Sequence, residues 1–451
     1  MQTNVQRNFH QSSFYYVLEY LDTAHIKVKS FALHSSILMV ADVTNNQPLP
    51  ISSNVNWVGV NDSETPLFEA LWRIPEGVSY NSYLIVGTEK TALIDSVNAK
   101  NALEHFDKIS KLTDLSKLDY LIINHMEPDH TGAIPELLKK APNAKVVFTP
   151  IAQTIFKKFY GFDPPTVIVK GEPVEISLGN KTLRFIQTPW LHWPETMSTY
   201  IVEDRILFCC DLFGSFKKLP EGAILESDID LIKQNIWGSS QKYFASVFNG
   251  HREWILKAIE KFDKMNLEIN VLAPSHGPVY TGSAKQTMNK WASWSKGTYT
   301  KTVVVAYDSM YGNTSKCLNA IVEGVREAGG SVFSFNLSED TAVEALTALV
   351  EAPALIVGSP TYEHEIFPKV VDFLNLLKTK KFSNRYASVF GSFGWSGEAT
   401  RKISLELTAL GFELVEQPLS VFGSPTKEDL EKARQLGKSV AEKAFSKYGA
   451  V

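Results

Sequence analysis

The sequence contains very little cysteine: Cys209, Cys210 and Cys317 are the only thiols in 451 residues, and no CxxC pair occurs. This scarcity excludes a disulfide-stabilised scaffold, a zinc ribbon and a rubredoxin centre, and it predicts a reducing, cytoplasmic compartment. No apolar run approaches the roughly 18 residues of a membrane span, and no signal-peptide pattern is present at the N-terminus. The net charge of −4 provides no basic excess. We therefore expect neither nucleic-acid nor membrane partners.

The chain is longer than a domain with a single hydrophobic core usually is, so two or three domains are expected. Residues 1–45 have apolar patches without a period and are interpreted as an N-terminal extension of unknown role: an accessory element, an arm, or sequence upstream of a start at Met39. Residues 46–297 pass from hairpin-like strands to strands separated by helices, which is typical of a mixed two-layer β core with outer helices. A polar linker is predicted at 289–302. Residues 298–451 follow a strict βαβ rhythm that predicts a doubly wound parallel sheet.

Residue types that bind metals are concentrated where predicted strands end. Four occur together in "HMEPDH", directly after the apolar stretch "LDYLII", and the others occur in "LHWPET", "CCDLFG" and "PSHGP". The candidate ligands are His125, Glu127, Asp129, His130, His192, Asp211 and His276. One histidine in a loop is more often a surface or capping residue than a ligand. Seven donors at four strand ends, however, indicate a metal centre at one edge of the β core.

The types of donor restrict the choice of metal. Four imidazoles and three carboxylates without a thiolate favour iron, manganese or zinc over copper(I). Two ferrous ions carry four positive charges, of which three carboxylates would cancel three and a bridging hydroxide the fourth. A carboxylate-rich dinuclear site of this kind favours iron over zinc.

Three loops of the C-terminal half are predicted to bind a ligand at the carboxyl ends of parallel strands. The first, "DSMYGNTS", precedes a helix whose N-terminus favours an anion. It matches neither a P-loop nor a dinucleotide fingerprint. The second loop is "GSPTYEHEIFP" and the third is "GSFGWSGEA". In the third loop, the indole of Trp395 could stack on a flavin ring. The candidate residues are Ser309, Met310, Tyr311, Gly312, Asn313, Thr314, Ser359, Pro360, Thr361, Tyr362, Ser392, Phe393, Gly394, Trp395, Ser396 and Gly397.

From about residue 55 to 448 the chain resembles the flavodiiron proteins, or A-type flavoproteins. "HMEPDH" with the downstream His, Asp and His is similar to the metallo-β-lactamase fold, and the C-terminal half resembles flavodoxin. Zinc hydrolases of that fold have histidine where this chain has Glu127, a replacement that marks the diiron branch. "LFEALW", "GVSYNSYLIV", "LHWPETM" and "DLFG" are also similar to the family. The resemblance implies an α/β and α+β fold: an N-terminal metallo-β-lactamase-like αββα sandwich followed by a flavodoxin-like doubly wound parallel sheet.

The resemblance also implies roles for the candidate residues. One iron would be held by His125, Glu127 and His192. The other would be held by Asp129, His130 and His276, with Asp211 bridging both. In some members of the family the equivalent of His130 is displaced by water.

For the second cofactor, the resemblance implies FMN. Its phosphate would contact Ser309, Tyr311, Gly312, Asn313 and Thr314, and its ring would lie against the 359–364 and 392–397 loops. The family often has asparagine and glycine where this chain reads "YEHEI". We therefore expect Glu363 and His364 to change the flavin potential or the contacts with the electron donor.

Reduction of O2 to water, of NO to N2O, or of both is the activity that the resemblance implies. Two electrons from reduced FMN and two from a diferrous pair are the four that O2 requires. Electrons would come from an external rubredoxin-like protein or a reduced deazaflavin. A head-to-tail homodimer, possibly a dimer of dimers, would set the flavin of one chain against the irons of the other.

Two other functions remain open on the sequence alone. A zinc hydrolase with an appended flavodoxin domain is disfavoured by Glu127. A pure electron carrier with an inactive metal domain is disfavoured by the seven intact donors. The same ligand set serves O2 and NO, so the residues do not rank the two gases.

Overall fold

The computed structural model describes residues 46–448, so the predicted N-terminal extension, residues 1–45, lies outside the described residues. The first half opens with a seven-stranded sheet in the order β1-β2-β7-β8-β9-β10-β11, in which the strands from β8 onward are parallel. The strands are β1 (Leu49–Ser52), β2 (Val55–Trp57), β3 (Val60–Asp62), β4 (Leu67–Phe68), β5 (Trp72–Arg73), β6 (Val78–Tyr80), β7 (Tyr83–Val86), β8 (Thr91–Ile94), β9 (Tyr120–Ile122), β10 (Lys145–Phe148) and β11 (Thr166–Ile168). The helices are α1 (Ala102–Ser110), α2 (Pro128–Thr131), α3 (Ile134–Lys140) and α4 (Pro150–Tyr160).

A second sheet, five strands in sequential order, packs against the first. Its strands are β12 (Val174–Ser177), β13 (Thr182–Gln187), β14 (Met197–Ile201), β15 (Ile206–Cys210) and β16 (Val271–Pro274). Helices α5 (Ile236–Tyr243) and α6 (Arg252–Lys264) lie between β15 and β16, and α7 (Ala284–Lys296) follows β16. One buried cluster joins Ile94 and Ile122 of the first sheet to Phe185 and Phe208 of the second. The predicted two-layer β core with outer helices is confirmed.

The C-terminal half contains a sheet in the order β18-β17-β19-β21-β22, with β23 also paired to β21. Its elements are β17 (Thr302–Tyr307), α8 (Asn313–Glu327), β18 (Ser331–Asn336), α9 (Ala342–Leu349), β19 (Ala354–Tyr362), β20 (Glu365–Ile366), α10 (Pro368–Thr379), β21 (Tyr386–Phe393), α11 (Glu398–Ala409), β22 (Glu413–Leu414), β23 (Leu419–Phe422) and α12 (Lys427–Tyr448). The main strands pair in parallel. The first five residues of β17 are buried, because helices cover both faces of a parallel sheet and leave no solvent-facing alternation. The doubly wound parallel sheet is confirmed.

The predicted linker at 289–302 is wrong over most of its length. Helix α7 continues to Lys296 and ends at Gly297, which has a φ of +75°. Trp291 is fully buried, and the Trp294 indole N–H donates to the Glu351 carboxylate at 2.8 Å. The polar composition of this stretch concealed a helix whose tryptophans, three residues apart, occupy one buried face.

In the part of the chain that the structure describes, no helix is both long enough and apolar enough to cross a membrane.

Candidate metal centre and flavin-binding loops

The predicted metal ligands lie close together, at or just after the ends of four strands. His125 follows β9, His192 follows β13, Asp211 directly follows β15, and His276 follows β16. The remaining three donors are at the short helix α2: Glu127 precedes it, and Asp129 and His130 lie within it. His125, His130 and His276 are fully buried, and Asp211 is nearly so.

The seven side chains form two adjoining groups. In the first group the ligand atoms of His125, Glu127, His192 and Asp211 all lie within 4.8 Å of one another, and the same limit holds for Asp129, His130 and His276 in the second. Glu127 Oε2 lies 3.0 Å from His192 Nε2 and 3.2 Å from His125 Nε2. In the second group, Asp129 has one oxygen 3.4 Å from His130 Nε2 and the other 3.4 Å from His276 Nε2.

Asp211 is shared between the groups, one oxygen to each. Its Oδ1 lies 2.9 Å from His130 Nε2 and 3.2 Å from His276 Nε2. Its Oδ2 lies 3.4 Å from His192 Nε2 and 3.5 Å from His125 Nε2. A carboxylate that bridges two ions needs this division of its oxygens.

The charges of the cluster also suit cations. Burial alone would lower the pKa of His192, but hydrogen bonds to Asp211 and Glu127 raise it to about 9. The pKa of His276 is likewise raised, to about 10, by Asp129 and Asp211 against the effect of burial. Burial would raise the pKa of Asp211, yet His130 and the other imidazoles hold it well below its usual value. The same imidazoles lower the pKa of Glu127, so Asp211 and Glu127 stay ionised in a buried place and require positive charge beside them.

An orphaned carboxylate supports the same assignment. Both oxygens of Asp129 are buried, and within residues 46–448 neither has a hydrogen-bond partner. A buried carboxylate without donors is costly unless a cation occupies its lone pairs. The donor set and its geometry thus fit a pair of divalent ions.

Sequence reasoning missed Glu195, which orients a predicted ligand. Its Oε1 lies 2.8 Å from His125 Nδ1 and accepts the backbone N–H of Met126 at 3.0 Å. Because the Nδ1 proton is donated to the carboxylate, Nε2 is left to face the cluster. His276 is oriented in the same way by the Ser79 carbonyl, 2.7 Å from its Nδ1. The "HWPET" stretch, where Glu195 follows His192 by three positions, was the available signal.

Replacing Glu195 with glutamine is expected to weaken metal binding roughly 10- to 100-fold, the usual cost of losing an outer-shell partner of a ligating histidine. Competition with a chelator measures the change. Glu203→Gln is the matched control, since that carboxylate accepts the Thr182 N–H far from the cluster. Unchanged affinity in the Glu195 variant would contradict the orienting role.

The first flavin loop ends at the N-terminus of α8. Gly312 has a φ of +84°, and a Cβ there would meet no atom within 4 Å, so the loop borders open space. The Ser309 hydroxyl accepts the Ser315 N–H at 3.3 Å. The hydroxyls of Thr314 and Ser392 are buried and bonded to each other at 2.8 Å, which ties the first loop to the third.

The three flavin loops carry exposed apolar side chains. Trp395 is 67% exposed and Tyr311 is 86% exposed, and Tyr362 and Met310 are also exposed. Ser359 is buried instead, and its hydroxyl accepts the Phe367 N–H at 3.1 Å, so it supports the second loop from within. Open aromatic faces beside a helix N-terminus fit a flat ring that carries a phosphate.

Comparison with known proteins gives consistent results for both halves. The model of the ODP family β-lactamases matches residues 78–277, and the flavodoxin model matches residues 305–437. A nitric oxide reductase of Moorella thermoacetica is 32% identical over 398 residues, with 88% of this chain and 98% of the relative covered. The coenzyme F420H2 oxidase of Methanocaldococcus jannaschii is 32% identical, with 87% and 96% covered. The structure of rubredoxin oxygen:oxidoreductase from Desulfovibrio gigas has a TM-score of 0.86 and 29% identity, with 90% of this chain and 100% of that chain covered.

Proposed function

The chain belongs to the flavodiiron, or A-type flavoprotein, family, and from that premise we propose that it reduces O2 to water, NO to N2O, or both. Its cofactors are FMN and a non-haem diiron centre. The main support for the proposal is that Asp211 directs one carboxylate oxygen to each of two groups of metal donors. The same chain also contains a flavodoxin-like domain.

We propose the following ligands. His125, Glu127 and His192 hold one iron, Asp129, His130 and His276 hold the other, and Asp211 bridges them. His130 is included because its Nε2 lies 2.9 Å from Asp211 Oδ1, within the second group. When bound, the two irons and the reduced flavin supply the four electrons that O2 requires, or the two that convert two molecules of NO to N2O.

The side chains of the cluster define where a diatomic substrate enters. Glu127, Asp129 and His192 are 17%, 16% and 10% exposed at their side chains, whereas His125, His130 and His276 are fully buried. The cluster is therefore accessible at the side formed by Glu127, Asp129 and His192. Trp193 packs edge-on against His125, with ring centroids 5.0 Å apart, and limits the access of water behind the ligands.

We also propose an external electron donor and a head-to-tail homodimer. Relatives are named for rubredoxin and for coenzyme F420H2, so a rubredoxin-like protein or a reduced deazaflavin is the proposed donor. Across residues 46–448, no hydrogen bond, ion pair or ring contact joins the three flavin loops to the seven metal donors. A second chain would supply that contact. The proposed domains are residues 46–297 and 298–451, and both family matches fall within them.

Protein purified from iron-sufficient cells is expected to contain about two irons and one FMN per chain, as a diiron flavoenzyme requires. Anaerobic steady-state rates with O2 and with NO, using reduced rubredoxin or F420H2, would establish the preferred gas. A sample dominated by zinc, with hydrolysis of a thioester or phosphoester, would instead support the hydrolase alternative.

A further inference from the structure

The turn between β19 and β20 has an unusual backbone for the residues it carries. Tyr362 pairs with Glu365, and the two residues between them, Glu363 and His364, have φ values of 48° and 64°. Such two-residue turns favour asparagine and glycine, because both central positions are left-handed. Bulky residues in these conformations carry a cost that is typical of functional sites.

His364 connects this turn to the third flavin loop. Its Nδ1 lies 3.0 Å from the Ser396 hydroxyl and 3.4 Å from Glu398 Oε1. Ser396 also donates to the Glu398 carboxylate. The imidazole meets the Trp395 ring edge-on, with centroids 4.4 Å apart and planes at 89°. A ligand stacked on Trp395 would consequently lie beside His364.

We propose that His364 is a positioning residue for FMN, which holds the plane of Trp395 and places an imidazolium charge beside the flavin ring. The inference rests on the proposed flavin site. On reduction, oxidised FMN takes two electrons from the external donor and one proton from water, and it becomes an anionic hydroquinone. The imidazolium stabilises that negative charge, so His364 favours the reduced flavin.

Charged groups surround the imidazole. Glu398 of α11 faces it, and Lys402 of the same helix pairs with Glu365. Within the described residues, Glu363 has no ion-pair partner. A test of the charge must therefore separate His364 from the carboxylates beside it.

The test compares the ratio of oxidised to reduced FMN, measured against a reference dye, in the wild-type protein and in His364→Gln. FMN content and the absorption spectrum are recorded first. We expect a shift of about tenfold toward oxidised flavin, equivalent to about 30 mV for a two-electron couple, and a much smaller shift in His364→Lys, which keeps a positive charge in the turn. The control Glu363→Gln removes a negative charge from the same turn. It should shift the ratio toward reduced flavin or not at all.

Two results would overturn the proposal: no shift with His364→Gln, or the same shift with His364→Lys as with His364→Gln, which would indicate packing alone. If His364→Gln loses FMN, Glu398→Gln decides, since it keeps the imidazole but removes the carboxylate that faces it. The ratio should then shift toward reduced flavin, because the positive charge of His364 is no longer offset, and an unaltered ratio would refute the role of His364. A wild-type protein that binds no FMN would refute the flavin site itself.

Discussion

Replacing Asp211 with alanine is expected to remove iron from both halves of the metal centre. Asp211 Oδ1 faces His130 and His276, while Oδ2 faces His192 and His125, so one substitution removes an oxygen from each proposed iron. The loss of affinity should exceed the roughly 10- to 100-fold cost of removing an outer-shell partner. Iron per chain, measured by elemental analysis, tests this directly.

Two further variants serve as comparisons for the iron content of the Asp211 variant. His192→Ala should affect mainly the first ion, because its Nε2 faces Glu127 and the Oδ2 oxygen of Asp211, both on the side of the first group. Asp308→Asn should keep both irons: Asp308 is also a buried aspartate, but it accepts the Ser309 N–H and the Ser338 hydroxyl in the other half of the chain. Equal iron content in the Asp211 and His192 variants would count against a bridging role.

Two inactive chains are expected to restore activity when they share a dimer: about half of the native rate in the mixed dimer itself, and roughly a quarter in an unseparated mixture of dimers. One chain carries Asp211→Ala. The other carries Ser309→Asp and Asn313→Asp, which place carboxylates where the FMN phosphate is proposed to bind. Random pairing makes about half of the dimers mixed, and in a head-to-tail arrangement each of these contains one complete pair of sites out of two.

Co-expression with two different affinity tags isolates the mixed dimer, and its rate with O2 or NO is compared with those of the parents. Recovery would show that electrons cross between chains. A purified mixed dimer without activity would place the working flavin and irons in one chain. A monomeric wild-type protein would contradict the proposed assembly.

Features with a local chemical signature were readable from the sequence. The apolar stretch of β17 predicted a buried parallel strand, because a strand covered on both faces cannot alternate. The donors from His125 to His276 were recognisable because imidazoles and carboxylates gather at strand ends for few other reasons. Helix α7 was not predicted, because its serines, lysines and asparagine are residues typical of a loop. The burial of Trp291 in the structure shows that this stretch packs against the core.

Only the tertiary structure determined which side chains from distant segments of the chain contact one another. The division of Asp211 between two groups, the orientation of His125 by Glu195 and the contact of His364 with Trp395 join residues that are between 19 and 86 positions apart. Such pairings depend on the sheet order and on the packing of one sheet against the other, which are not encoded in any short stretch. The amino-acid types determined which atoms can bind a cation. The fold determined which of these atoms bind the same cation, because the ligands of one ion must lie within a few ångströms of one another although they come from distant parts of the chain.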